Sequence, residues 1–190
     1  MAKTREQDVV DLLLEQHEQI RGLLTRLKGA TAGPAKRAMF EDLVRLLAVH
    51  ETAEEEILHP IARRELLDGE RVVSGRLHEE AEAKRALAEL YELGVDHPRF
   101  DVKLAALAEA VTAHASQEET EEFARLRREL PADRLRRMAG AVRTAEAVAP
   151  TRPHPAVGES AVVNLLAGPP VALFDRIRGA IRDWSRAQRR

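Results

Sequence analysis

The chain has 190 residues, of which 44% are hydrophobic and 33% charged, so it carries enough apolar material for a buried core and is not a disordered polymer. It contains no cysteine, which excludes disulfides, thiolate metal sites and cysteine nucleophiles and leaves histidine and carboxylate as the only strong metal donors. With 30 basic against 32 acidic residues the net charge is −2, which gives no global field toward nucleic acid or an anionic membrane.

Aromatic residues are scarce at 3%, and a core of Leu, Val, Ile and Ala surrounded by Glu and Arg predicts helices. The first helical pattern runs from about Arg5 to Lys28, with Val9, Leu13, Ile20, Leu24 and Leu27 on one face, and ends at Gly29 to Pro34. A second runs from about Ala35 to Leu67 through Phe40, Leu43, Leu47, Ile57 and Ile61, and stops at Asp68-Gly69. Pro60 lies inside it and predicts a kink there or a break just before it. A third, about Glu70 to Leu93, uses Val73, Leu77, Leu87 and Tyr91 and is closed by Gly94 and Pro98. The fourth, about Arg99 to Leu130, uses Leu104, Leu107, Val111 and Leu126 and ends at Pro131. Four long amphipathic helices with short loops form, most simply, an all-α up-down-up-down four-helix bundle over residues 1–130.

The remainder differs in kind. Ala132 to Ala147 predicts a short fifth helix, and Pro150 to Pro155 reads as a stiff linker, so that residues 131–155 connect the bundle to a tail at 156–190. Val171 to Arg190 predicts an amphipathic helix with Phe174, Ile177, Ile181 and Trp184 on one face and arginines elsewhere, and its apolar side is expected to dock on its own protein in preference to a membrane surface. The N-terminus lacks the apolar stretch of a signal peptide. The longest apolar tract, Ala161 to Phe174, is broken by Asn164 and Pro169-Pro170 and falls short of the ~20 residues that span a bilayer, so the expectation is a soluble, cytoplasmic protein without integral membrane association. No nucleotide loop, Ser-His-Asp arrangement or nucleic-acid motif stands out, and nothing in the pattern sets an oligomeric state.

The chemistry lies in polar residues that fall on the buried stripes. At about 100° per residue, His17 lies about 40° from Leu13, His50, Glu54 and Glu51 lie within about 60° of Leu47, and His114 and Glu118 lie within about 60° of Val111. The second and fourth helices thus repeat His-x-x-x-Glu facing the bundle axis. On the third helix Glu80 and Lys84 align with Val73, Leu87 and Tyr91, whereas His78 and Glu82 fall outside the stripe and would form the ligand set only if the helix were rotated. Counted from the helix ends, His17, His50, Glu54, Glu80, His114 and Glu118 reach one layer to within about one turn. Buried carboxylates are costly unless paired or metal-bound, and Lys84 is the only cation in this layer, so the pattern predicts a cation site. Oxygen and imidazole donors suit iron, manganese or zinc, and this many carboxylates suit two ions bridged by some of them.

The His-x-x-x-Glu order resembles the hemerythrin-like HHE cation-binding family, over about residues 9 to 128. His17, His50-Glu51-Thr52-Ala53-Glu54-Glu55 and His114-Ala115-Ser116-Gln117-Glu118-Glu119 carry the resemblance. It implies a non-haem di-iron centre, with an oxo, hydroxo or water bridge, that meets dioxygen, peroxide or nitric oxide. Residue by residue, His17, His50, Glu54, His114 and Glu118 match family ligand positions. Oxygen-carrying members have two histidines on the third helix, where this chain has Glu80 and Lys84. A protonated lysine cannot ligate, so the resemblance implies reaction with peroxide or oxygen, or sensing, in place of reversible carriage. Whether there is enzymatic turnover is left open, and an iron-responsive regulatory module without turnover is the alternative.

Other polar residues are expected to do less. His59 falls about 120° from the core face of the second helix and reads as a surface or packing histidine. Glu55, Glu56, Glu119, Glu121 and Glu122 read as mostly solvated, although Glu51 or Glu119 could support the ligands from behind. Lys84 is expected just above the centre, paired with a ligand carboxylate or facing a bound peroxide. His97 and His154, beside prolines, read as turn residues.

Overall fold

The computed structural model describes residues 6–148 and 170–188, and no strand occurs among them. The first rod is α1 (Val9–Gly29), which opens on a reciprocal cap in which Asp8 accepts from the Asp11 N–H and Asp11 accepts from the Asp8 N–H. The second rod is composite: α2 (Pro34–Ala53), a π-helical turn (Glu54–Leu58) and α3 (His59–Glu65). Next comes α4 (Gly69–Leu93), whose first residue must be glycine, since a Cβ there would stand 2.2 Å from the Ala62 carbonyl oxygen of α3. The fourth rod is again composite, with α5 (Phe100–Gln117), a π-helical turn (Glu118–Phe123) and α6 (Ala124–Glu129).

The four rods pack as an antiparallel bundle, with α1 against α2 and α5, and α4 against α5 and α3. Leu13, Leu27, Leu43, Leu87, Leu104 and Leu126 are fully enclosed in its core. Two further helices extend it. Leu135, Ala139, Val142 and Ala145 of α7 (Ala132–Val148) bury against α1 and α2, and Ile177 and Ile181 of α8 (Pro170–Ala187) bury between α2 and α7. All belong to one continuous core with the bundle, so the C-terminal helix docks on its own protein. Its arginines meet the acidic run of the second rod, Arg178 pairing with Glu55 and Glu56 and Arg182 with Glu56. The expected linker at Pro150 to Pro155, including His154, and the tract from Ala161 to Pro169 lie outside the described residues, as do Met1 to Arg5. Among the described residues no helix is long and apolar enough to cross a membrane.

The break expected near Pro60 takes a particular form. Proline has no N–H for the carbonyl four residues back, and its ring crowds that carbonyl. The helix answers by widening just before it, with the His59 N–H bonding Glu54, five residues back, and α geometry then resumes. The second π turn has no proline to signal it and was not expected from the sequence. Each wide turn holds one extra residue and rotates the remainder of its rod by about 100° relative to an ideal helix.

Two substitutions test the docking of α8. Ile181→Ala should lower unfolding stability by about 2–5 kcal/mol through the cavity it leaves, read by urea denaturation. Arg182→Ala, on an exposed ion pair, should change it by no more than ~0.5 kcal/mol.

Candidate metal centre

All four rods send polar groups into one layer of the core. His17 comes from α1, His50 and Glu51 from α2, Glu54 and His59 from the first π turn and its exit, Glu80 from α4, His114 from α5, and Glu118 and Glu122 from the second π turn. Glu54, Glu80, Glu118 and Glu122 are fully buried, and His17, His50 and His59 are almost so.

Two donor quartets emerge, each with one atom per residue and all atoms within 4.8 Å of one another. One comprises His17, His50, Glu54 and Glu118, and the other Glu54, His59, Glu80 and Glu118. They share Glu54 and Glu118, which is the arrangement two carboxylates need to bridge a pair of cations. His114 stands beside them, with Nε2 3.1 Å from Glu118 Oε1.

Every imidazole of the layer is held from behind through Nδ1. For His17 the partner is Glu119 Oε1 at 2.8 Å, for His50 Gln16 Oε1 at 3.0 Å, for His59 Glu122 Oε1 at 3.1 Å, and for His114 Glu79 Oε2 at 2.9 Å. Acceptor oxygens at Nδ1 bind the proton of that nitrogen and turn Nε2 inward, where it can offer a lone pair to a metal once any proton it carries is displaced. As a result His17 Nε2 and His50 Nε2 face each other at 3.0 Å, and His59 Nε2 lies 2.6 Å from Glu80 Oε1.

The carboxylates show the same demand for a cation. Neither oxygen of Glu54 or of Glu118 receives a hydrogen bond, nor does Oε2 of Glu80 or of Glu122. Buried carboxylates cost several kcal/mol each unless compensated. Here imidazole nitrogens of His17, His50 and His114 stand 3.1–3.3 Å from Glu118 and Glu54 without a hydrogen bond to them, so the residues present fit a bound pair of cations better than a metal-free core. Their acidities in the metal-free protein carry the strain. Burial holds Glu54 well above the ordinary carboxylate range, with Glu118 and Glu80 adding repulsion, and burial with Glu80 pushes Glu51 up to about 8. Burial, helped by neighbouring His17, holds His50 well below the usual imidazole value. Against the effect of burial, bonds to Glu122 and Glu80 raise His59 to about 10, and contact with Glu118 raises His114 to about 10. Glu118 itself is held low by His114 and His17, which outweigh its burial.

Lys84 sits at the edge of the layer. Its Nζ lies 3.6 Å from Glu80 Oε2 and 3.7 Å from Glu51 Oε2, pairs closely with Glu55, and lies 5.2 Å from the centre of the Phe174 ring of α8. His78 and Glu82 are exposed on the outer face of α4, where they pair with each other at 3.6 Å.

Four residues depart from expectation. His59, read as a surface or packing histidine, is buried between Glu80 and Glu122 because the π turn cancels about 100° of its expected offset of about 120°. Glu122, read as solvated, is fully buried, and the signal for it was present: eleven residues past Val111 is about 20° from the core face. Glu55 and Glu56 are also drawn out of solvent, by Lys84, Arg178 and Arg182. Gln16 and Glu79, which orient His50 and His114, carry no sequence signal, because their partners come from other rods.

Comparison with known proteins bears on the same region. The family model for the Hemerythrin HHE cation binding domain matches residues 8–126. A DNA nickase from Nostoc sp. (strain PCC 7120 / SAG 25.82 / UTEX 2576) is 27% identical over 135 residues, which are 71% of this chain and 38% of the nickase, so the chain spans well under half of that relative. The crystal structure of a Hemerythrin HHE cation binding domain-containing protein from Mycobacterium kansasii superposes with a TM-score of 0.69 over 90% of this chain and 99% of that one, at 18% identity, a likeness of fold.

His59→Ala should weaken metal binding by about tenfold or more, comparably to His50→Ala, while His78→Ala should leave it unchanged, as read by competition with a chromogenic chelator. Stability should also depend on pH in a metal-sensitive way. Above pH ~6.5 an unfolded histidine is neutral and an unfolded glutamate ionised. The folded metal-free protein still holds protons on His59 and His114 up to about 10 and on Glu51 up to about 8. The folded state binds more protons in this range, so the Tm of metal-free protein should fall from about pH 6.5 to about pH 9, and bound metal should flatten that slope.

Proposed function

We propose, for a chain that belongs to the Hemerythrin HHE cation-binding family, that the buried layer holds two iron ions that react with or sense dioxygen, peroxide or nitric oxide. The observation that carries this reading is the pair of quartets sharing Glu54 and Glu118. His17 and His50 would hold one ion, His59 and Glu80 the other, and Glu54 and Glu118 would bridge them, with His114 completing the shell beside Glu118. Manganese or zinc suits the same donors, and a water-derived bridge would complete the pair. Two iron ions, when bound, supply the electrons that a peroxide or dioxygen takes up.

The chain's own residues then set access and charge. A cleft of about 390 Å³ between α4 and α5, walled by Ala83, Ala86, Ala110 and Val111, ends on Glu51 and His114, which gives a small ligand a route to the layer. Lys84, kept protonated by Glu51 and Glu55 in spite of its burial, places a positive charge beside Glu80, where it can hydrogen-bond an incoming anionic oxygen. A donor set this rich in carboxylate favours the ferric state, which supports redox reaction or sensing over reversible carriage. The reading includes a cytoplasmic location. A metal-responsive module without turnover is the second reading, favoured by the chain of contacts from Glu80 through Lys84 and Glu55 to Arg178 of α8.

Anaerobic reconstitution with ferrous iron should give about two ions per chain, and peroxide should then change the optical spectrum. Zero stoichiometry would end the di-iron reading. Peroxide consumed only once per centre would select the sensor, and continued consumption with a reductant would select an enzyme. The Nostoc relative is named as a DNA nickase, and nicking of supercoiled plasmid in proportion to bound metal would replace the small-molecule reading.

A further inference from the structure

A second groove, of about 740 Å³, lies between α3, α7 and α8 and shares no residue with the metal centre. Its walls carry arginines from α3 and α7, of which Arg134 pairs with Glu65 and Arg136 with Asp133. Arg64 and Arg137 make no ion pair among the described residues, and Arg143 reaches only the Gln7 carbonyl, at 3.3 Å. The one carboxylate among the described lining residues, Glu56, is already engaged by Arg178 and Arg182. Arg64, Arg137 and Arg143 line one groove with no carboxylate partner among the described residues, so their like charges repel one another and a bound anion relieves that repulsion.

The groove also contains Trp184, the only tryptophan of the chain. Its indole lies across Gly140 of α7, where a Cβ would stand 2.8 Å from Cζ2, so the absence of a side chain at 140 lets the ring settle against the helix. A half-buried indole in one groove with guanidinium forks that make no ion pair among the described residues pairs two recognition elements, a stacking platform for a planar base and bidentate donors for phosphate. The whole-chain charge of −2 does not oppose this, because at about 0.1 M salt charges farther than about 10 Å are screened. Duplex bases are already stacked and cannot reach the indole, whereas a free or single-stranded base can.

We propose that this groove binds the phosphate and base of a nucleotide, either free or within a single strand, with the base on Trp184 and the phosphates on Arg64, Arg137 and Arg143. The inference is independent of the reading of the metal centre. Because Trp184 is the sole tryptophan, the fluorescence of the full chain reports on the groove directly. Titration with an oligothymidylate about eight nucleotides long, and separately with thymidine triphosphate, should quench it saturably, and the strand's affinity should weaken by about tenfold or more between 50 and 200 mM salt. Tighter binding of the oligothymidylate identifies the strand as ligand, and equal or tighter binding of the triphosphate identifies the free nucleotide.

Arg64→Glu and Arg137→Glu change exposed side chains and should each weaken binding by about tenfold, with Arg137→Gln as a milder form. Gly140→Ala should displace the indole, shift its emission and weaken binding. Arg128→Glu, on exposed α6, should change nothing. Absence of saturable quenching by either probe overturns the proposal. So does inorganic triphosphate competing as well as thymidine triphosphate, which would mean an anion patch without base recognition, or an effect of Arg128→Glu equal to that of Arg64→Glu.

Discussion

Glu54 and Glu118 sit at the centre of the bundle with four carboxylate oxygens and no hydrogen bond to any of them. Removing such groups from water costs several kcal/mol apiece unless positive charge replaces the lost hydration, so much of the surrounding layer can be read as an answer to that cost. His17, His50 and His59 turn Nε2 toward the shared carboxylates because Glu119, Gln16 and Glu122 hold Nδ1 from behind. Without those outer oxygens the rings could adopt the other tautomer and present a proton where a lone pair is needed.

The π turns make the layer geometrically attainable. In an ideal α-helix residues i and i+5 diverge by about 140°, so Glu54 and His59 could not both face the axis. The wider turn between them brings both inward, and the corresponding turn in the fourth rod brings Phe123 to the core beside Glu118 and Glu122. Phe123 then stacks on the His17 ring at 5.5 Å between centroids, which packs one face of the imidazole. Distorted helix turns of this kind concentrate at functional positions because they exchange regular hydrogen bonding for an extra inward side chain.

The C-terminal helix joins the same electrostatic system from outside. Lys84 and Arg178 hold Glu55 below the ordinary carboxylate range against its partial burial, and Phe174 of α8 lies under the Lys84 ammonium. Glu80, Lys84, Glu55 and Arg178 therefore form a line of alternating charge from the buried layer to the extension. The apolar face of α8 supplies the docking energy, and its arginines set where along the acidic run Glu55-Glu56 it comes to rest.

Much of this was legible in sequence. Apolar spacing delimited the four rods and the two further helices to within a few residues, because burial of one helical face demands a period near 3.6 and Gly, Pro and Asp end it. The same count turned His17, His50, Glu54, Glu80, His114 and Glu118 to the interior and His78 with Glu82 to solvent, which is how the structure disposes them. It failed for His59, since a fixed 100° per residue cannot foresee a turn that holds an extra residue, and the proline beside it signalled a disturbance without its rotation. Gln16, Glu79 and the arginine groove around Trp184 were beyond reach for a different reason. Each is defined by contacts between rods distant in sequence, and only the packing of α7 and α8 on the bundle decides which side chains meet.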